Sequence, residues 1–257
     1  MALLEIRNVG HRFGGLAALS GVSFEVLPGR IKSVIGPNGA GKTTLFNIIS
    51  GLIRPDSGEL RFDGTPITGW PPYRIARLGV SRTFQNLSLF AGMTAMENVM
   101  VGRHCRTRHG MWSAALRLPG QHGEEERIRE AAGAELGFVG LGSLGDRPVG
   151  ALSFGQRRMV ELARALATQP RLVLLDEPAS GLNSREKDEL AQLIDKIRKR
   201  GITVLLIEHD MSLVMQISDD ILVLHYGTPI AEGKPADVRN DSRVIAVYLG
   251  GGFDAAS

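Results

Sequence analysis

A single cysteine, Cys105, is the only thiol in this chain of 257 residues, so no internal disulfide can form and the sequence suits a reducing compartment. No apolar run approaches the roughly 18–20 residues that span a bilayer, and the opening Met1-Ala2-Leu3-Leu4-Glu5-Ile6 lacks the charged-then-apolar order of a secretory signal. Internal repeats and low-complexity segments are absent. The charge imbalance is slight: a net +3 does not by itself point to an anionic partner. Aromatics make up 5% of the residues, charged side chains 22% and hydrophobic ones 43%, the balance of an ordinary soluble globular protein large enough to bury a substantial core.

Against these absences, one stretch stands out: Gly36-Pro37-Asn38-Gly39-Ala40-Gly41-Lys42-Thr43-Thr44. It has a glycine, four free positions and Gly-Lys-Thr, with the apolar run Ile31 to Ile35 before it and a helix-like segment (Leu45, Ile48, Ile49) after it. That is the strand–loop–helix context of a phosphate loop. Glycines let the backbone wrap round a polyphosphate, and the helix contributes its positive end. Lys42 is expected to reach the outer phosphates and the Thr43 hydroxyl to ligate magnesium.

The rest of the chain reads as an α/β core. Alternation at Leu4 and Ile6, then at Val22, Phe24 and Val26, predicts antiparallel strands. Gly58 to Phe62 and Val80 to Gln85 read as further strands, and Tyr73 to Leu78 as a short helix. The runs Leu172 to Leu175, Thr203 to Ile207 and Ile221 to Leu224 are near-continuously apolar and separated by helices, which argues for parallel strands covered on both faces. Asn183 with Glu186 predicts the start of a helix that Gly201 ends. Between Leu87 and Ala167 the pattern turns helical. The expectation is a mostly parallel sheet with an antiparallel β subdomain over 1–86 and 168–250, an inserted helical lobe over 87–167, and a tail at 251–257. Within the lobe, Arg103 to Gly123 holds four arginines and no acidic residue, which fits either a solvated basic loop or a contact with lipid headgroups or a membrane subunit.

The chemistry gathers at strand ends. Asp176 and Glu177 close an apolar strand, where ligands sit in such sheets. Asp176 is expected to orient magnesium and Glu177 to act as general base toward an attacking water. His209 follows another strand and suits a γ-phosphate contact. Gln85 ends its own strand, and as a magnesium and water ligand it draws meaning only from these neighbours. Leu152-Ser153-Phe154-Gly155-Gln156 opens a helix, either as a plain cap or as a second anion site. Phe13, between the N-terminal strands and beside Gly14-Gly15, is either a core aromatic or a ring that stacks on a base. An Asn-Lys-x-Asp guanine reader is missing, which argues against a GTPase.

In this order, the phosphate loop, Gln85, Leu152 to Gln156, Asp176-Glu177, Ser180-Gly181-Leu182-Asn183 and His209 resemble an ABC-transporter ATPase subunit over nearly the whole chain. Phe13-Gly14-Gly15-Leu16, Arg82 to Asn86, Ile207 to Met211 and the ending Ala246 to Gly250 resemble more narrowly the branched-chain amino-acid importers, and the long insert their larger ATPase subunit. Urea and short-amide importers share much of this pattern. The resemblance implies ATP hydrolysis with Mg2+, held by Thr43, Gln85 and Asp176. It assigns catalysis to Glu177, His209, Lys42 and Gln85, and nucleotide binding to Phe13 and to Asn38, Gly39, Ala40, Gly41, Lys42, Thr43 and Thr44. Ser153, Gly155 and Gln156 would grip ATP held by the opposite subunit of a head-to-tail dimer. Implied partners are transmembrane permease subunits, a second ATPase subunit (or a second copy in isolation) and, indirectly, a periplasmic solute-binding protein, at the cytoplasmic face of the membrane and without nucleic acid. Asn183 departs from the aspartate common in the wider family; an amide keeps hydrogen bonding across the dimer but drops the charge, and the narrower importer group commonly shows asparagine there, so the departure is not read as damage.

Overall fold

Strands β3 (Ile31–Ile35), β7 (Leu172–Asp176) and β8 (Thr203–Ile207) are buried at every position in the computed structural model, which describes residues 1–83, 88–103 and 121–250, the side chains of 121, 122, 249 and 250 excepted. Successive side chains of a strand point to opposite faces, so such strands need an apolar layer on each side. Both layers are present. Val173, Leu175, Val204 and Leu206 join one cluster, while Leu172, Leu174, Leu205 and Ile207 join another.

These strands lie in a six-stranded sheet of order β10-β9-β3-β8-β7-β6, where β6 is Val80–Arg82, β9 is Asp220–His225 and β10 is Thr228–Gly233. All neighbouring pairs are parallel except β9 with β10. A second, antiparallel sheet of order β2-β1-β4-β5 is built from β1 (Leu4–Phe13), β2 (Leu16–Val26), β4 (Ser57–Phe62) and β5 (Thr65–Pro66). Its apolar face shares a cluster with helix α1 (Lys42–Ile49), through Leu4, Ile6, Val22 and Phe24 on one side and Leu45, Phe46 and Ile49 on the other. Helix α2 (Pro72–Leu78) leads into β6.

On the opposite face lie helices α3 (Ala95–Arg103), α4 (Gln121–Phe138), α5 (Phe154–Ala167) and α6 (Ser184–Lys199). Ala95, Val99, Ala132, Leu136, Val160 and Ala163 of the helical lobe pack in the same cluster as the strand residues Val173 and Leu206. The lobe is therefore continuous with the core of the sheet. Helix α6 opens as the sequence indicates: Glu186 N–H donates to Asn183 Oδ1 at 3.0 Å, and Asn183 N–H donates to Glu186 Oε2 at 2.9 Å. At its far end Gly201 takes φ +82°, a left-handed value glycine adopts without strain.

The sequence reading extends β6 to Gln85, whereas the strand ends at Arg82; Gln85 lies outside the described residues, as does the basic insert between 104 and 120. It passes over β10 and the short helices α7 (Met211–Ile217), α8 (Pro235–Arg239) and α9 (Ser242–Gly250). Ile35, Val214, Ile221, Val223, Val238 and Val244 form a third apolar cluster there.

Two-sided burial has a direct test. Leu205→Ala and Leu206→Ala, which empty opposite faces of β8, are each expected to cost about 2–5 kcal/mol in urea denaturation. A loss below about 1 kcal/mol at either site would contradict a packed core on that face.

Candidate functional site

Parallel strands end at one edge of the sheet, and that is where ligands bind in folds of this type. Register fixes the alignment here, since Val34 pairs with Ile207 and Ile207 with Asp176. The segments that follow β3, β8 and β7 therefore emerge side by side: the phosphate loop, then Glu208-His209, then Glu177.

The loop from Gly36 to Gly41 is shaped by close backbone approaches. A Cβ on Gly36 would lie 2.1 Å from the Leu224 carbonyl oxygen, and one on Gly41 (φ +97°) would lie 2.5 Å from that of Ala18. Only glycine fits at either point. Asn38 and Gly39 are exposed at the tip, while Ala40 is buried and its carbonyl accepts from Gly227 N–H at 3.0 Å. Helix α1 starts at Gly41 without a side-chain cap and with no acidic residue in its first turn, so its leading N–H groups remain available to an anion. The Lys42 ammonium bridges the loop, donating to the carbonyls of Gly36 at 2.6 Å and Pro37 at 2.9 Å. Burial lowers its pKa, and the charges of Glu177 and Asp176 pull it back up. Thr43 is exposed and Thr44 half-buried on the same turn. The Tyr248 hydroxyl on α9 is hydrogen-bonded to the Gly36 backbone, and burial pushes its pKa above the usual phenol value.

Asp176 is 1% exposed. Its Oδ2 accepts from Arg82 Nη2 at 2.8 Å, and the same guanidinium donates from Nη1 to Asn47 Oδ1 at 2.7 Å and Ser50 Oγ at 3.0 Å on α1. The other carboxylate oxygen, Oδ1, is buried with no hydrogen-bond partner. Native structures leave few such atoms unsatisfied. An acceptor of this kind fits a hard divalent cation, which takes oxygen ligands and keeps several waters. Among the described residues no group of three or more His, Cys, Asp or Glu could hold a metal ion.

Glu177 adopts φ +47°, a left-handed value that costs a non-glycine residue on the order of 1–3 kcal/mol. Its N–H donates to the Ile207 carbonyl at 2.9 Å, which ties the turn after β7 to the end of β8. The exposed His209 places Nδ1 3.9 Å from Glu177 Oε2 and 3.8 Å from Glu208 Oε2. These are longer than hydrogen bonds, so the ring stands between two carboxylates without being locked to either.

Ser153, Gly155 and Gln156 occupy a different surface. Gln156 N–H donates to Ser153 Oγ at 3.2 Å and Ser153 N–H to Gln156 Oε1 at 2.9 Å, a reciprocal cap that starts α5. The hydroxyl still carries a proton to donate outward. These three residues line a cleft of about 460 Å³ together with Leu141, Leu182 and Glu186. No residue of the phosphate loop, nor Asp176, Glu177 or His209, lines that cleft. Phe13, whose position the sequence leaves open, is 52% exposed near the tip of the β1–β2 hairpin with His11 edge-on at 4.6 Å. It is a surface ring, not a core one.

The structure thus brings Lys42, Asp176, Glu177 and His209 to one edge and keeps Ser153, Gly155 and Gln156 apart. Sequence reasoning missed Arg82 and Glu208. A charged residue directly after an apolar strand was the available signal for Glu208; for Arg82, which looked like any strand residue, none was available.

With this geometry in place, comparison with known proteins is specific. A family pattern described as ABC transporter matches residues 19–180, and one described as branched-chain amino acid ATP-binding cassette transporter matches 228–254. The chain is similar to the high-affinity branched-chain amino acid transport ATP-binding protein BraF of Pseudomonas aeruginosa, 46% identical over 96% of this chain and 98% of that one. Its identity to the corresponding protein LivG of Escherichia coli is 43% with the same coverage. Among solved structures, the ADP conformation of an ATP-binding cassette of an ABC transporter superposes with TM-score 0.85 at 35% identity, over 97% of this chain and 99% of that one. A dimeric post-hydrolysis cassette bound to ADP and Pi superposes with TM-score 0.77 at 27% identity, over 90% and 98%. The chain belongs to the ABC transporter family and is one of its ATP-binding cassettes.

Proposed function

We propose that the chain is the ATP-hydrolysing motor subunit of an importer for branched-chain amino acids. One observation carries the hydrolytic part: the phosphate loop, the open Oδ1 of Asp176 and the Glu177–His209 pair meet at a single sheet edge. The cargo reading is supported by the names of the relatives, BraF and LivG, both branched-chain amino acid transport ATP-binding proteins.

In this reading the loop N–H groups of Asn38 to Thr44 and the Lys42 ammonium bind the phosphates of ATP, and Phe13 stacks on the adenine. Thr43, Asp176 and Gln85 would hold magnesium, which when bound offsets the negative charge of the polyphosphate. Glu177 accepts the proton of the water that attacks the γ-phosphorus, and ADP departs. His209 donates a hydrogen bond to a γ-phosphate oxygen. Ser153, Gly155 and Gln156, which lie away from their own phosphate loop, complete the site of a second subunit across a head-to-tail dimer. That second subunit is a related ATPase, or another copy of this chain in isolation. Membrane-spanning permease subunits convert dimer closure and reopening into uptake at the inner face of the membrane, with a periplasmic binding protein upstream of them. Among the described residues no helix is long and apolar enough to cross a membrane, so attachment falls to those partners.

Lys42→Ala removes charge-assisted bonds worth about 1.5–3 kcal/mol, and calorimetry should show ATP affinity reduced roughly 10- to 150-fold. Unchanged affinity would refute its assignment. Asp176→Asn should still bind ATP in EDTA yet lose the gain in affinity that magnesium confers; a magnesium response equal to that of the native chain counts against the metal role. Glu177→Gln should lower turnover about 10²–10⁴-fold while retaining ATP. It should elute as a dimer in MgATP and as a monomer in MgADP during size-exclusion chromatography, and adding Ser153→Arg should abolish the dimer. Near-native turnover in Glu177→Gln would falsify the general-base role.

A further inference from the structure

Glu208 stands at the site edge, the proposed mechanism leaves it unused, and it is fully buried. A carboxylate in that position is costly unless its oxygens are served by donors. They are served entirely by backbone. Oε1 accepts from Ala179 N–H at 2.8 Å, and Oε2 accepts from His209 N–H at 3.0 Å and Asp210 N–H at 3.3 Å. The first donor lies two residues beyond Glu177, in the turn where Ser180 N–H returns to the Glu177 carbonyl at 3.1 Å and Leu182 N–H to that of Ala179 at 3.2 Å. The other two belong to the segment that carries the histidine. A second strut runs alongside: Lys187 on α6 donates to Asp210 Oδ2 at 2.6 Å, while Asp210 Oδ1 caps α7 by accepting from Ser212 and Leu213 N–H. The Lys187 ammonium holds the Asp210 carboxyl below its usual range.

From this geometry we infer that Glu208 is a positioning residue for ATP hydrolysis. It clamps the Glu177–Asn183 segment to the His209 segment and so sets the spacing between general base and histidine. The inference rests on the roles given above to Glu177 and His209. The clamp needs an acceptor at both oxygens, as a carboxylate provides. A glutamine keeps the shape but must turn its NH2 group toward either Ala179 N–H or the His209 and Asp210 N–H pair, where two donors then face each other. Reacting groups displaced by about 1 Å can lose on the order of 10²-fold in rate. A bystander carboxylate would affect folding and nucleotide binding together. A positioning one acts on turnover alone, because the phosphate loop is not among its partners.

The test uses the full chain and compares Glu208→Gln, His209→Ala and the double variant, measuring MgATP turnover and, by calorimetry, MgADP affinity. The expected result for Glu208→Gln is a kcat lower by roughly 10- to 100-fold with MgADP affinity within about twofold of native. In the His209→Ala background the same substitution should change kcat by less than about threefold, since the effect passes through the histidine. Native turnover in Glu208→Gln, a loss of MgADP affinity that matches the loss of kcat, or losses that multiply fully in the double variant would each overturn the inference. If Glu208→Gln does not fold, Glu208→Asp takes its place: it keeps the charge but reaches one methylene less, and the same outcomes decide. The two readings fail differently. Native turnover in His209→Ala removes the histidine's own role, whereas a slow His209→Ala beside a native-like Glu208→Gln removes only the clamp.

Discussion

Burying a carboxylate without a partner costs several kcal/mol, and the active edge of the central sheet buries two, Asp176 and Glu208. Much of the local architecture is the means by which their oxygens are served. Arg82 reaches Asp176 from β6 and on the way binds Asn47 and Ser50, with its guanidinium 5.7 Å from the Phe46 ring centroid. One cation thus fixes the helix behind the phosphate loop, the edge strand and the Asp176 carboxylate in a single arrangement. Glu208 does the same for two loops using backbone donors. The oxygen that remains unserved, Asp176 Oδ1, points to where an incoming ligand would gain most.

The helical lobe is joined to the same machinery through close steric fits. A Cβ on Gly155 would come within 2.8 Å of Glu186 Oε1, and one on Gly181 within 3.0 Å of the Phe154 ring. The first turn of α5 and the start of α6 are therefore nested, with a glycine on each side of the joint. Glu186 is occupied at the same time in capping α6 through Asn183. The Glu177–Asn183 segment and the Ser153 turn are thus in direct steric contact within one chain.

The amino-acid order made much of this readable. Near-continuous apolar runs such as Val204 to Ile207 argue for doubly covered strands, and the phosphate loop announced its own context, so the parallel sheet and the placement of Lys42, Asp176, Glu177 and His209 were legible. The cap at Asn183 and Glu186 was legible for the same reason, since its donors and acceptors are local in sequence. What stayed hidden depends on distance in the chain. Arg82 and Asp176 are remote in sequence, and no periodicity announces that one will serve the other. Phe13 is ambiguous because a ring beside glycines has the same local pattern whether it is buried or not. The strand β10 alternates poorly around Pro229 and Gly233, which conceals an edge strand that needs only one partner.

The position of β3 within the sheet has a consequence for the order in which the molecule can be built. Its two neighbours are β8 and β9, with Lys32 paired to Leu205 on one side and Asp220 on the other. The strand that carries the phosphate loop is thus synthesised well before either of its supports. At a synthesis rate of roughly 5–20 residues per second, that interval is on the order of 10–40 s. Throughout it, β3 lacks both of its partner strands, and the carbonyl of Leu224 that shapes Gly36 does not yet exist. The phosphate-loop sequence is thus made well before the strands that give it its shape, a non-local dependence of the kind that slows folding.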